Sequence, residues 1–346
     1  MRGILILLVL VCVLAVPASA LELEAPEVPE TGREWMPEGV DSFGGGLLDL
    51  LEKGMSLLVP ELRSAAKICG KLLAIALFLS VVQGISGPVK TACDLAGVLS
   101  VCAVLMGQTN AMIALGMETV EEITAYGKLL LPVMTGAMAA QGGITTSAVL
   151  YTGTAMFNAV LTGCIASVLV PGVKLYLAVS MVGCATGEEG LKRIGDFLKS
   201  TVSWILKTLM MVFTTYLGLS GVVSGTTDAA ALKAAKVTIS SVVPVVGGIL
   251  SDASEAVLVS AGIAKNAAGI YGILAVLAVF LQPFLRLLSH YLVLKLTGAV
   301  CIIFGSKATT SLIDSFSAAM GFLLAMTGGC CVMVLVSTVC FLRGVQ

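Results

Sequence analysis

The chain has 346 residues, 58% hydrophobic and only 12% charged, with a mean hydropathy of +1.03 and a net charge of -1. Soluble domains carry roughly 25% charged residues, so this composition excludes a water-exposed globule and points to an all-α integral membrane protein. The near-zero charge argues against nucleic acid as a partner, and a single histidine, His290, argues against a His-based metal site or triad.

In chain order, MRGILILLVLVCVLAVPASA comes first. Arg2, an apolar core from Ile4 to Ala15 and Ala18-Ser19-Ala20 together read as a cleaved secretory signal peptide over residues 1–20. Cleavage puts the mature N-terminus outside the cytoplasm. Residues 21–66 then form an acidic extracytoplasmic segment, and 67–346 a polytopic helical membrane domain. The Glu- and Pro-rich start of that segment reads as a disordered tether, with Gly44-Gly45-Gly46 as a flexible joint. Leu47 to Leu62 has the Leu and acid spacing of an amphipathic helix.

Uncharged runs mark the spans, since crossing takes about 20 apolar residues. They lie at 72–89, 95–117, within 129–173, at 208–227, 266–285 and 315–342, and a further candidate, 287–305, contains His290 and Lys295. This predicts a transmembrane helix bundle of about seven spans, with the 129–187 region crossing once or three times. Glu118, Glu121 and Glu122 fall in an outer loop, and Lys192, Arg193, Lys199 and Lys207 on the cytoplasmic side. On this count the last span ends inside, at Arg343. Two interfacial amphipathic helices are predicted. One covers Gly187 to Lys207, with Leu191, Ile194, Leu198 and Val202 on its apolar face; the other covers Thr119 to Leu129.

Ser240 to Asp252, SSVVPVVGGILSD, reads as helix, break, helix. Pro244 removes a backbone donor, Gly247 and Gly248 accept unusual backbone angles, and Asp252 with Glu255 suits a new helix start. Lipid cannot satisfy freed backbone groups, so a break at membrane depth needs protein or water around it. The segment is either a discontinuous element lining a passage, with Asp252, Glu255 and Lys265 beside it, or an external hairpin. Gly221 with Gly225, and Gly269 with Gly272, are candidate close-packing positions between helices. The ten cysteines lie scattered in apolar runs with no CxxC pair and read as small hydrophobes. Asp94 and Asp314 lie near span ends with no evident partner.

No P-loop, HExxH or GxSxG is present, so no catalytic residue, metal site or cofactor is predicted. The stretch LKAAKVTISSVVPVVGGILSDASEAVLVSAGIAKNAAGIYGIL, Leu232 to Leu274, resembles the stage III sporulation protein AE family. GDFLKSTVSWILK at 195–207 and LPVMTGAMAAQGGITTSAVLY at 131–151 agree with it. The resemblance implies a non-enzymatic subunit of a channel complex that joins mother cell and forespore and supports late forespore gene expression. It also implies a place in the mother-cell, outer forespore membrane. Implied partners are other membrane and ring-forming proteins of the same sporulation locus, a cytoplasmic ATPase, a forespore membrane protein and the lipid bilayer. An autonomous secondary transporter or permease, or a purely scaffolding membrane protein, remain the alternatives.

Overall fold

The computed structural model describes residues 26–37, 43–85, 90–140, 144–219, 267–304 and 307–343. All the regular structure among them is helical: α1 (Glu30–Arg33), α2 (Phe43–Ile85), α3 (Lys90–Ala140), α4 (Ile144–Cys164), α5 (Val170–Thr186), α6 (Glu189–Leu219), α7 (Ala267–Phe304) and α8 (Lys307–Arg343). A π turn over Ile165–Leu169 joins α4 to α5, making one rod. Pro171 has no N–H for the carbonyl four residues back. The turn just before it absorbs that mismatch, with the Val170 N–H donating to the Ile165 carbonyl five residues back.

Helix α8 is the axis. Of its most apolar window 89% is buried inside the protein, against 22% for α2. It packs on α3, α4, α5, α6 and α7. Lipid is as apolar as leucine, so burial from water does not hold such helices together; close van der Waals contact between small residues does. The contacts also set direction. Gly97 lies beside Thr309, Gly116 beside Leu323 and Gly127 beside Val334, so α3 runs parallel to α8. Gly298 meets Asp314 and Gly269 meets Leu342, so α7 runs antiparallel to it. Helix α2 runs parallel to α7, with Gly46 on Leu274 and Gly54 on Leu281. The α4–α5 rod runs against α3, tied by a Thr124–Thr162 hydroxyl pair at 2.9 Å. Helix α6 folds back along that rod, placing Gly172 on Val202.

Five helices among the described residues are long and apolar enough to cross a membrane: Phe43–Val82, Ala92–Gly136, Ser147–Thr186, Gly269–Ile303 and Lys307–Leu342. Two of the seven expected spans make the difference: the runs 266–285 and 287–305 share one helix, and the run 208–227 passes beyond the described residues at 219. The acidic run at Glu118–Glu122 is no loop but the middle of α3, which is 51 residues and so about 77 Å long. Its Glu118, Glu121 and Lys128 point outward while Val120, Ile123, Tyr126 and Gly127 are buried, so the charges do not interrupt the helix. The predicted interfacial helix at Thr119–Leu129 is part of the same rod. The 129–187 region adds one rod, the lower of the two crossing numbers expected. The runs 266–285 and 287–305 are one helix, α7, which continues through buried Pro283, exposed Arg286 and buried His290. Merging those two runs reverses the last half of the topology: Arg343 lies at the bundle end where α2 begins, not at the opposite one.

The N-terminal stretch also differs from a disordered tether with a flexible joint. Residues 26–37 form a strap against α7, with Val28 and Gly32 buried. A Cβ on Gly32 would lie 2.6 Å from Val279 Cγ2 and 3.0 Å from its backbone N, so the approach needs glycine. Thr31 Oγ1 donates to Glu122 Oε2 at 2.5 Å, and Lys53 Nζ donates to the Met36 carbonyl at 3.1 Å. Gly44–Gly46 are helical, and the amphipathic run at 47–62 continues unbroken past residue 66 as α2. The predicted interfacial helix at 187–207 runs straight on as α6, which turns Val202, Leu206, Met210 and Phe213 inward and leaves Phe197 and Trp204 exposed.

The signal peptide at 1–20, together with Gly221, Gly225, Pro244, Gly247, Gly248, Asp252, Glu255 and Lys265, lies outside the described residues. Gly269 and Gly272 sit in the first turns of α7. A Cβ on Gly272 would be 2.7 Å from Leu130 Cδ1, and one on Gly269 would overlap the Leu342 side chain. Gly272→Leu is therefore expected to destabilise the detergent-solubilised protein by about 1–3 kcal/mol. Gly70→Ala, exposed on α2 with nothing within 4 Å, should be neutral or stabilise by up to about 1 kcal/mol. Thermal unfolding of the two variants side by side checks this.

Candidate functional site

A cavity of about 650 Å³ opens at the bundle end where α5 turns into α6. The local sequence explains the turn. Gly187 adopts a left-handed conformation (φ 72°) and its N–H donates to the Gly183 carbonyl at 2.9 Å, closing α5. Glu189 then begins α6, where a carboxylate complements the helix dipole. Gly183 lets the two helices touch: a Cβ there would stand 3.2 Å from Leu191 Cβ. Gly195 similarly faces Ser180, so α6 lies close along α5 and carries Lys192 and Asp196 to the cavity wall.

The floor is made of hydroxyls. The Tyr176 hydroxyl lies beside Ser315 of α8 and Ser180 of its own helix, the Cys184 thiol lies beside Ser311, and the Ser315 hydroxyl donates to the Ser311 carbonyl at 3.0 Å. Tyr176 also meets Phe322 edge-on, with ring centroids 6.2 Å apart, which anchors α5 to the central helix. The rim carries charge of both signs from several elements: Asp94 of α3, Glu188 and Glu189 at the turn, Lys192 and Asp196 of α6, and Lys307 at the start of α8. Among the described residues Lys192, Asp196 and Lys307 take part in no ion pair. No group of three or more His, Cys, Asp or Glu suited to a metal occurs among the described residues.

Of the acids noted in the sequence, Asp94 lies on this rim and Asp314 beside it. Asp314 does have a partner: Lys295 Nζ is 3.2 Å from its Oδ1. Both side chains are about half exposed, so the pair contributes at most about 1 kcal/mol. Sequence spacing holds no hint of it, because the two residues meet only through the antiparallel packing of α7 on α8. His290 is buried deeper in the bundle. Its Nδ1 lies 2.9 Å from the Arg286 carbonyl, which can only accept, so the proton of the neutral ring is on Nδ1. The void beside it, about 10 Å³, is lined by Gln108, Thr109 and Met320 and is at the lower limit for one water molecule. The nominated Gly269 and Gly272 lie toward the other end of the bundle from the cavity. The cavity's own residues gave no signal in the sequence beyond scattered serines and the charges around the turn.

A family model described as Stage III sporulation protein AE matches residues 43–343. The chain belongs to the stage III sporulation protein AE family. Stage III sporulation protein AE of Bacillus subtilis (strain 168) is 21% identical over 276 residues, covering 78% of this chain and 69% of that relative. No solved structure matches the chain. The stage III sporulation protein AE match begins at the first residue of α2 and ends at the last of α8. It therefore takes in every long rod of the bundle and the whole cavity, and leaves the strap outside.

Gly187→Ala is expected to cost about 1–2 kcal/mol because an L side chain resists the left-handed region, while Gly187→Asn should cost less. Comparing the unfolding temperatures of these two variants with the parent checks that this backbone turn sets the mouth of the cavity.

Proposed function

We propose that this chain is a non-catalytic, multi-pass subunit of a channel complex joining mother cell and forespore during sporulation. The observation that carries the reading is the extent of the family match, which covers the entire helical bundle rather than one motif. The central position of α8 supports a subunit over an autonomous transporter. Among the described residues the axis of the chain is filled by side chains, which favours a passage built together with partners. Those partners are other membrane and ring-forming proteins of the same locus, a cytoplasmic ATPase and a forespore membrane protein. The mature N-terminus and strap are extracytoplasmic in the mother-cell membrane, and the α5–α6 turn with Lys192 and Arg193 faces the mother-cell cytoplasm.

Deleting the gene in its own spore former should leave engulfment intact, reduce late forespore reporter expression and sharply lower the yield of heat-resistant spores. Expression from a mother-cell promoter should restore all three readouts, and expression from a forespore promoter should restore none. Normal sporulation in the deletion strain, or rescue from the forespore, would overturn the reading.

A further inference from the structure

We propose that the cavity at the α5–α6 turn is a binding site for a small zwitterion of the amino-acid class. This goes beyond the subunit role and does not depend on it. Three observations carry it. The volume, about 650 Å³, is that of a small-molecule site and exceeds what packing defects leave. The rim presents both charge signs on separate helices, and Lys192, Asp196 and Lys307 take part in no ion pair among the described residues. Lys192 and Asp196 stand four residues apart on α6, a spacing at which such side chains often pair. Here both line the cavity unpaired. The lining includes the hydroxyls of Tyr176, Ser311 and Ser315, which can pair with the polar groups of a ligand.

The chemistry follows from that distribution. A ligand ammonium is matched by Asp196, and a ligand carboxylate by Lys192 and Lys307. A ligand with only one charge leaves half of the rim unanswered. A purely anionic ligand faces four carboxylates, and a purely cationic one faces two ammonium groups. Charges held at fixed positions discriminate by mismatch as well as by match.

Cys184, half-buried in the cavity wall, is a built-in reporter. The full-length protein in detergent is treated with a small thiol reagent and modification at each cysteine is read by mass spectrometry. L-Glutamine is the probe. Its decarboxylated analogue, 4-aminobutanamide, and its deaminated analogue, glutaramate, are the single-charge controls. Glutamine is expected to slow modification of Cys184 at least about threefold, and both analogues to need about tenfold higher concentration for the same protection. Cys69 on α2, away from the cavity, should be unaffected. Asp196→Asn should remove the advantage of glutamine over glutaramate, and Lys307→Gln its advantage over the amine. Both side chains are exposed, so both variants should fold. Equal protection by all three compounds, protection by one analogue alone, absence of protection, or a Cys184 that never reacts would each overturn the proposal.

Discussion

Everything in this bundle is arranged around one constraint: α8 is buried along nearly its whole length and must be approached closely from several sides. In lipid that approach is driven by dispersion, which fades within a fraction of an ångström of separation. The helix supplies the means in Ala318, Ala319, Ala325 and Gly329, and the facing helices supply Gly97, Gly116, Gly127 and Gly298. Three of its buried polar residues leave the seam undisturbed. Thr327, Ser337 and Thr338 are buried, but each hydroxyl donates to a carbonyl of its own helix, at 3.0, 2.6 and 2.8 Å to residues four back. A polar side chain satisfied this way needs nothing from its neighbours.

The peripheral helices are governed by a different rule. A hydrocarbon layer about 30 Å thick takes about 20 helical residues, and α2 and α3 run for 43 and 51. Each therefore extends well beyond a bilayer and can carry charge mid-helix, provided the charge points away from α8. Glu118, Glu121, Lys67 and Arg286 all do so, standing exposed beside buried Val120, Ile68 and Leu287. The strap adds a clamp at one end, joining α2, α3 and α7 through Lys53, Glu122 and Val279.

At the other end the bundle loosens. Helices α5 and α6 meet tightly through Gly183 and Gly195, yet the space between their turn, α3 and α8 stays open. It is lined by hydroxyls and by charges of both signs. The close packing of α8 against its neighbours sets this opening apart. An exposed charge on a rod is an ordinary solvated group, whereas charges of both signs around a polar hollow form a patterned surface.

Composition by itself determined the class: at 12% charged residues the chain cannot cover a soluble core. Local pattern determined that the apolar runs are helical, and the stretches at 131–151, 195–207 and 232–274 carried the family resemblance that the match over 43–343 then bore out. The span count was not legible, because a run of charge reads the same in a loop as on the outer face of a helix. Glu118–Glu122 in α3 and Arg286–Lys295 in α7 differ from loops only in what lies behind them. The partner of Asp314 and the rim that joins Asp94, Asp196 and Lys307 were equally hidden. These residues are distant in sequence, and only the directions in which helices pack on α8 bring them together. Sequence periodicity states which face of a helix is apolar; the tertiary structure alone decides which helix that face meets, and in which direction.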